Sequence, residues 1–276
     1  MGLHLDIHDD LLKLTPSQLL QWSADAFHNN CSDHNNNCDA SKQRLVVTTS
    51  FGIQSAVTLH MITRLAPDVP VIFVDTGYLP SETLQYAKQL TNLLQLNLHT
   101  YQSPLSPKEF EAKFGKLWEK KDKASMALYN QVRKVEPLQR ALLELKAGAW
   151  VAGLRSEQTT HRSTLRRVEK QELANGAGLL KILPLLHWSR QQMDAYLTRH
   201  QLPPHPLAAR GYATVGDWHS SRPLQEQSTQ EDERGTRFHG VLEECGIHLI
   251  GKETKKKEQE KSTQKHWNLM RSVCVH

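Results

Sequence analysis

Short apolar and β-branched runs recur along the chain, and stretches with helical spacing separate them. The runs span residues 45–49, 69–74, 96–101, 149–154 and 179–186. Runs of this length are typical of buried strands, and the stretches between them are typical of helices. The alternation predicts an α/β fold, in which helices flank both faces of a parallel sheet.

The ends of the chain differ from this central pattern. Residues 11–27 have helical spacing, and Thr15 followed by Pro16 marks the start of a helix. A polar, Asn-rich stretch that is typical of a linker follows them. We therefore divide the chain into an N-terminal helical extension and linker, an α/β domain, a C-terminal segment and a lysine-rich tail. The predicted divisions are 1–43, 44–210, 211–250 and 251–276.

Length and hydrophobic content indicate a protein with a full core. The chain has 276 residues, of which 38% are hydrophobic. It contains no apolar run near the ~20 residues that span a bilayer, and its N-terminus lacks the basic and apolar regions of a secretory signal. We therefore expect a soluble, cytoplasmic protein with no membrane partner.

Charge and cysteine content narrow the possible partners. The net charge is +5, but the lysines gather near the end, in GKETKKKEQEK, where acids alternate with them. Such a run favours a solvated, mobile tail over a nucleic-acid patch, so we expect no nucleic-acid partner. Cys31, Cys38, Cys245 and Cys274 form no CxxC pair, which is typical of reduced thiols and disfavours zinc and iron–sulfur sites.

The stretch SFGIQS, residues 50–55, joins the first predicted strand to a predicted helix. Backbone N–H groups and the helix dipole at such a junction attract an anion. Gly52 would let the backbone approach that anion, and Ser50 and Ser55 would add hydroxyl donors. The stretch matches neither GxxxxGK[ST] nor GxGxxG, which disfavours a standard ATPase or a dinucleotide-binding fold. From these residues alone, an anion loop and an ordinary turn remain equally open.

Polar and basic residues also follow other predicted strands. Asp75, Thr76 and Gly77 come after the second strand, and the ends of adjacent parallel strands converge. Several cations stand near the ends of later strands, where they have no obvious acidic partner on a helix face. Such cations favour a small polyanionic ligand that carries phosphate or sulfate. They are Arg133, Lys134, Arg155 and Arg162.

The stretch TRFHGVLEECGIHL, residues 236–249, contains a cysteine with two possible roles. Phe238, Leu242 and Cys245 share helical spacing, which would bury the thiol on the apolar face of a helix. Cations upstream and His248 downstream would instead stabilise a nucleophilic thiolate. Spacing alone leaves both interpretations open.

Six stretches occur in an order that is typical of one enzyme family. They are SFGIQSA, DTGYLPSET, KVEPLQRAL, AGLRSEQ, HPL…GY…GD and EECGIHL, within residues 44–249. On these motifs the chain resembles the thioredoxin-dependent 3′-phosphoadenylyl-sulfate (PAPS) reductases. The resemblance implies the adenine-nucleotide alpha hydrolase-like fold, with SFGIQS as a pyrophosphate loop modified toward sulfate.

The same resemblance implies roles for individual residues. Cys245 would be the nucleophile, and His248 would lie beside the reacting sulfate. Residues 44–210 would bind the nucleotide, and 211–250 would form a catalytic segment that moves to admit first the substrate and then a protein. The substrate-binding residues would be Ser50, Phe51, Gly52, Ser55, Asp75, Thr76, Gly77, Lys134, Arg155, Arg162 and Arg237.

The implied reaction reduces PAPS to sulfite and adenosine 3′,5′-bisphosphate during assimilatory sulfate reduction. It would pass through an S-sulfocysteine on Cys245, and reduced thioredoxin or glutaredoxin would supply the electrons. The enzyme would be a homodimer and would carry no bound cofactor.

Three alternatives remain open at this point. Related adenylyl-sulfate (APS) reductases carry a [4Fe–4S] cluster on a CysCys pair and a later CxxC. Tyr129, Asn130 and residues 218–222 stand at those places here, which points to the cluster-free branch. An ATP-consuming ligase of the pyrophosphatase type would need two glycines and an aspartate in the loop. A non-catalytic nucleotide-binding regulator would keep Cys245 as an inert thiol.

Overall fold

The computed structural model describes residues 10–28, 43–173, 175–224, 236–237, 242, 244 and 246–249. None of the helices within these ranges is long and apolar enough to cross a membrane. The strands are β1 (Arg44–Thr49), β2 (Pro70–Val74), β3 (Asn97–Tyr101), β4 (Ala147–Ala152), β5 (Val168–Glu172) and β6 (Gly178–Ile182). The α-helices are α1 (Asp10–Lys13), α2 (Pro16–Phe27), α3 (Ser55–Thr63), α4 (Ser81–Leu94), α5 (Pro107–Phe114), α6 (Lys123–Asn130), α7 (Glu136–Glu144), α8 (Thr160–Ser163) and α9 (Arg190–Arg199).

One mostly parallel sheet organises the fold, in the strand order β3-β2-β1-β4-β6-β5. Its first five strands in this order pair in parallel, which confirms the predicted α/β class. The chain first adds β2 and β3 on one side of β1 and then crosses to add β4 on the other. Such a reversal opens a crevice between the loops that follow β1 and β4, where ligands of open α/β sheets bind.

The edge strand β5 was not predicted from the sequence. It pairs antiparallel with β6, and three of its five residues, in VEKQE, are charged. An edge strand is buried on fewer sides than a central one, so it can contain charged residues. A strand with many charged residues does not appear as an apolar run in the sequence. The last predicted run, 179–186, is a strand only as far as Ile182.

Two apolar layers cover the faces of the sheet. Leu45 and Val47 of β1 pack in the layer that contains α3 and α4 residues, whereas Val46 packs on the opposite face against α7 residues. Every residue of β4 is buried. Each fully buried Leu or Val side chain stabilises the fold by roughly 1.5–3 kcal/mol, so these layers hold the crevice in place.

The N-terminal extension packs onto this core. The predicted helix over 11–27 is two helices, and α2 begins with a capping box between Thr15 and Gln18. Leu19 and Leu20 of α2 are fully buried in the layer that covers β1. The buried guanidinium of Arg167 donates to the carbonyl oxygens of Leu12, at 3.1 Å, and Leu14. The extension therefore shares the core of the α/β domain, and residues 29–42 of the linker and the tail lie outside the described residues.

Candidate active site

A cavity of about 240 Å³ opens at the carboxyl ends of β1 and β4. Sequence reasoning predicted many of its lining residues, although they come from five separate stretches of the chain. Because the crevice lies at the strand-order reversal, these stretches converge there. The predicted residues that line the cavity are Ser50, Gly52, Ser55, Thr76, Lys134, Arg162, Arg237 and His248.

The loop between β1 and α3 forms one wall. The Ser55 hydroxyl and backbone N–H both donate to the carbonyl oxygen of Gly52, at 2.8 and 3.0 Å. No side chain caps α3, so its positive N-terminal end faces the cavity without a carboxylate from its own loop. A Cβ at Gly52 would meet Ser50 Oγ only at 3.5 Å, an ordinary contact. The space beside Gly52 is therefore available to a ligand.

Phe51 anchors this loop in the hydrophobic core and does not line the cavity. Its ring is fully buried, and its centroid lies 5.0 Å from that of Phe73 in an edge-on contact. Its backbone has φ of 46°, in the left-handed region that non-glycine residues rarely adopt. Burial of the ring offsets the cost of this backbone conformation, and loops held in this way are common at binding sites.

A buried ion pair crosses the second wall. Lys134 Nζ lies 2.5 Å from the carboxylate of Asp217, and the Thr76 hydroxyl donates to that carboxylate at 2.5 Å. Full burial alone would raise the pKa of Asp217, but the charges of Lys134 and His219 lower it to about 2. Asp217 is therefore ionised, and it balances the charge of a cation that was expected to meet only the substrate.

A π-helical turn, Gln131–Val135, positions Lys134 and its neighbour. Such turns insert one residue into a helix and often occur at functional sites. The buried Arg133 guanidinium donates to the carbonyl oxygens of Thr76, at 2.8 Å, and Leu105. Arg133 therefore supports the loop that carries Thr76.

The other residues predicted after β2 shape this loop and lie outside the cavity lining. Asp75 accepts from the Gly77 N–H at 2.9 Å and from Gln102 Nε2 at 2.7 Å. Gly77 has φ of +75°, and a Cβ there would come within 2.8 Å of Arg133 Nη2. Glycine at this position therefore leaves room for the buried Arg133.

The two arginines that follow β4 have different surroundings. Arg155 forms an ion pair with Glu157 beneath the site and lies outside the cavity lining. Arg162 lines the cavity, and it also binds Glu244 of the C-terminal segment in a two-pronged contact. Arg162 thus joins α8 to the stretch that carries the predicted nucleophile.

Arg237 enters the cavity from the C-terminal segment. It is about 7% exposed and pairs through its backbone with Ser221. Its guanidinium packs directly against Gly216, where any Cβ would collide with it. Glycine at 216 is therefore what allows this cation to reach the site.

The end of the C-terminal segment lies across the sheet. The ring of His248 stacks on the indole of Trp150, with centroids 5.8 Å apart and planes within 10°. Cys245, the predicted nucleophile, lies outside the described residues, as does most of the stretch that could have formed a helix. Leu242 and Glu244, which are described, belong to no helix.

An aromatic cluster adjoins the ion pair, and it includes Tyr129 and His219, which stand among the positions compared above with the cysteines of APS reductases. Trp118 and His219 stack with centroids 4.2 Å apart, and the Tyr129 hydroxyl lies 3.1 Å from His219 Nε2. Burial raises the pKa of Tyr129 well above its usual value. Across the described ranges, no three His, Cys, Asp or Glu side chains group as a metal site. The absence of a bound cofactor stays a prediction.

Sequence reasoning missed Asp217 as a site residue. It is fully buried, lines the cavity and contacts both Thr76 and Lys134. The available signal was a single acid within the uncharged stretch ATVGDW. Buried acids are rarely left unpaired, so such an acid indicates a cation nearby.

Comparisons with known proteins agree on one family. Residues 44–223 match the model of the phosphoadenosine phosphosulfate reductase domain. The chain is 50% identical over 243 residues to phosphoadenosine 5′-phosphosulfate reductase of Synechocystis sp., covering 88% of this chain and 89% of that one. It is 47% identical to the Synechococcus sp. reductase, covering 88% of this chain and 96% of the relative.

Solved structures agree with these sequence matches. The crystal structure of PAPS reductase from Candida auris, a phosphate complex, has a TM-score of 0.63 and 32% identity, and the match covers 80% of this chain and 100% of that one. FMN adenylyltransferase of Candida glabrata, with a TM-score of 0.54 and 15% identity over 80% of this chain and 67% of that one, shares the fold alone. The chain therefore belongs to the phosphoadenosine phosphosulfate reductase family, whose members are oxidoreductases that act on a sulfur group.

Proposed function

We propose that this protein reduces PAPS to sulfite and adenosine 3′,5′-bisphosphate, with reduced thioredoxin as electron donor. The observation that carries the proposal is the cavity, which is lined by the uncapped N-terminus of α3 and by the cations Lys134 and Arg237. Such a set of donors fits a ligand with several phosphate or sulfate groups. The Candida auris relative was crystallised as a phosphate complex, which supports an anionic ligand in this fold.

The loop of Ser50, Gly52 and Ser55 would hold the phosphosulfate end of the substrate. The Ser50 hydroxyl and the positive N-terminal end of α3 would stabilise charge that develops on the leaving phosphate oxygen. Ser55 would have to exchange its bonds to the Gly52 carbonyl oxygen for bonds to the substrate. Arg237, which reaches the cavity beside Gly216, would neutralise a further substrate anion. Lys134 would do so only in part, because Asp217 already balances its charge.

The reaction begins with the Cys245 thiolate, which attacks the sulfate sulfur. A sulfur–sulfur bond forms, the bond from sulfur to the bridging oxygen breaks, and adenosine 3′,5′-bisphosphate leaves with the electron pair. The product on the enzyme is an S-sulfocysteine. Cations that line the cavity, such as Arg237, would favour the thiolate of a cysteine that reacts there, because positive charge stabilises a thiolate.

A dithiol donor then completes the reduction. One thioredoxin thiolate attacks Sγ of Cys245, and sulfite leaves with the electron pair. The second thioredoxin thiol resolves the mixed disulfide and returns Cys245 as a thiolate. The dithiol thus loses two electrons, and the sulfur atom of sulfate gains them. Glutaredoxin would serve by the same chemistry.

The cellular setting forms part of the same proposal. We place the enzyme in the cytoplasm, as a homodimer without a bound cofactor, in assimilatory sulfate reduction. Tyr129 and His219 stand among the positions where the family resemblance puts the cysteines of a cluster-bearing relative, and their rings pack against each other. That packing supports a cluster-free enzyme.

Sulfite release from purified protein tests the function. With reduced thioredoxin, PAPS should yield sulfite, APS should yield little, and C245S should be inactive. C274S is the matched control, because the proposed mechanism gives that cysteine no role. Equal turnover of APS would overturn the choice of substrate, and an active C245S would overturn the mechanism.

A further inference from the structure

We propose that two buried cations, Arg162 and Lys181, are positioning residues that dock the chain on both sides of Cys245 over the cavity. Arg162 acts through the carboxylate of Glu244, and Lys181 acts through the backbone carbonyl of His248. The proposal rests on the proposed function, because it takes Cys245 as the reacting thiol. It also revises the role that the family resemblance implied for Arg162.

The contact between Arg162 and Glu244 has the geometry of a specific clamp. Arg162 Nε donates to Glu244 Oε1 at 2.6 Å, and Nη2 donates to Oε2 at 2.8 Å. The Thr159 hydroxyl donates to the same carboxylate at 3.1 Å, and both charged side chains are about 6% exposed. A two-pronged arginine–carboxylate pair fixes angle as well as distance. The fork of Arg162 therefore binds an anion of its own chain, one residue before Cys245.

Lys181 provides the second point of attachment. It lies in β6 with no exposed surface, and its Nζ donates to the carbonyl oxygen of His248 at 3.1 Å. Glu169 lies 3.8 Å from the ammonium, and the Trp150 ring centroid lies 5.7 Å away. A buried ammonium is costly to desolvate, and the hydrogen bond to the His248 carbonyl offsets part of that cost. The turn is held three residues after Cys245.

The two cations differ in their access to the cavity. Arg162 lines it, whereas Lys181 lies outside its lining. In a K181M protein that is as stable as the wild type, an effect on turnover therefore passes through the docked chain, whereas Arg162 could also touch the substrate. A phenotype that both cations share would identify docking as the common cause.

Hydrogen exchange of the full chain without nucleotide tests the docking directly. R162K, E244Q and K181M should each speed exchange roughly tenfold in peptides that cover 242–249, because each removes one attachment. Peptides from β1 should not change. E82Q is the matched control, since Glu82 pairs with an arginine that is 63% exposed.

Steady-state kinetics with PAPS and thioredoxin separate positioning from substrate binding. R162K and E244Q should each lower kcat by about tenfold or more, because a 1 Å misplacement of a reacting group can cost ~100-fold. The KM for PAPS should change less than about twofold, and the double variant should be no worse than either single one. K181M should give the same pattern.

Two results would overturn the proposal. One is a raised KM in R162K beside unchanged kinetics in E244Q, which would mean that Arg162 binds the substrate. The other is unchanged exchange in peptides that cover 242–249 for the three variants. E244Q alters the docked segment and leaves the sheet intact, so it carries the test even where K181M destabilises the fold. A wild-type protein that fails to turn over PAPS would refute the proposed function alone, because the exchange experiment uses no substrate.

Discussion

The sheet and the C-terminal segment of this protein are held in place by different forces. β1 and β4 are covered on both faces by apolar side chains, and all six residues of β4 are buried. The C-terminal segment adds buried ionic contacts to a few apolar ones such as that of Ile247, and among these ionic contacts are Asp217 on Lys134 and Glu244 on Arg162.

This difference separates stability from placement of the reacting groups. Apolar packing has little directionality, whereas buried ion pairs require correct geometry and cost much when one partner is lost. Changes in the sheet should therefore lower stability and leave the site intact. Changes in the ionic contacts should displace the C-terminal segment and the groups it brings to the cavity.

The largest effect should come from breaking the pair of Lys134 and Asp217. K134M leaves a fully buried carboxylate without its ammonium, which should lower the free energy of unfolding by about 3–5 kcal/mol. The double variant K134M/D217N removes the stranded charge and should regain most of that loss. Urea denaturation measures both, and an equal loss in the double variant would mean that the buried charge is not the cause.

A core substitution in β1 should lower the free energy of unfolding by a similar or smaller amount than K134M, without changing substrate binding. L45A removes a fully buried side chain, so the free energy of unfolding should fall by about 2–5 kcal/mol. The KM for PAPS should stay within about twofold, because Leu45 does not line the cavity. L84A, in an exposed position of α4, should change stability by less than about 0.5 kcal/mol. The KM change in L45A can be converted to a free energy. If it were as large as the loss of unfolding free energy, the sheet and the C-terminal segment would not differ in their effect on substrate binding.

Lowering the pH should reduce the free energy of unfolding through His205, which lies just before the C-terminal segment. His205 Nδ1 accepts from the Leu207 N–H at 3.1 Å, and burial lowers the pKa of His205 to about 4, against the charge of Glu82. Because the folded pKa lies below the unfolded value, this contribution is complete above about pH 6.5 and is lost as pH falls toward 4. The loss should reach up to about 3 kcal/mol.

The variant H205N keeps an acceptor for the Leu207 N–H but cannot be protonated in this range. Its unfolding free energy should depend less on pH between 4 and 6.5 than that of the wild type. Denaturation at several pH values measures this slope. Equal slopes in the two proteins would assign the acid sensitivity to another group.

The smallest effect should come from G216A. The added methyl group displaces the Arg237 guanidinium, and the KM for PAPS should rise about tenfold, which equals about 1.4 kcal/mol. G178A is the control, because a Cβ there has no neighbour within 4 Å. An unchanged KM in G216A would show that Arg237 does not contact the substrate.

The predicted fold was confirmed where the sequence carries strong local signals. The five apolar runs become strands of a mostly parallel sheet, and Thr15 and Pro16 start α2 as expected. β5 was not predicted, because an edge strand needs few apolar residues. Its position depends on pairing with β6, which no local pattern encodes.

The site was predictable as a set of anion-binding residues but not as a network. The positions of Ser50, Lys134 and Arg162 along the chain indicated the cavity, because strand ends converge. Their internal partners could not be foreseen, since Asp217 and Glu244 lie more than eighty residues from the cations that they bind. Such pairings depend on the tertiary structure and not on spacing. The roles of the predicted residues, and of Cys245 above all, stay predictions.

The most direct test of the central claim is the mass of the protein after reaction with PAPS and no thioredoxin. Reduced protein is incubated anaerobically, and its intact mass and cysteine peptides are then determined. The account predicts one added SO₃ group on the Cys245 peptide, formed with PAPS but not with APS. Bound nucleotide without any adduct on Cys245 would contradict the mechanism and leave a protein that binds the nucleotide without reducing it.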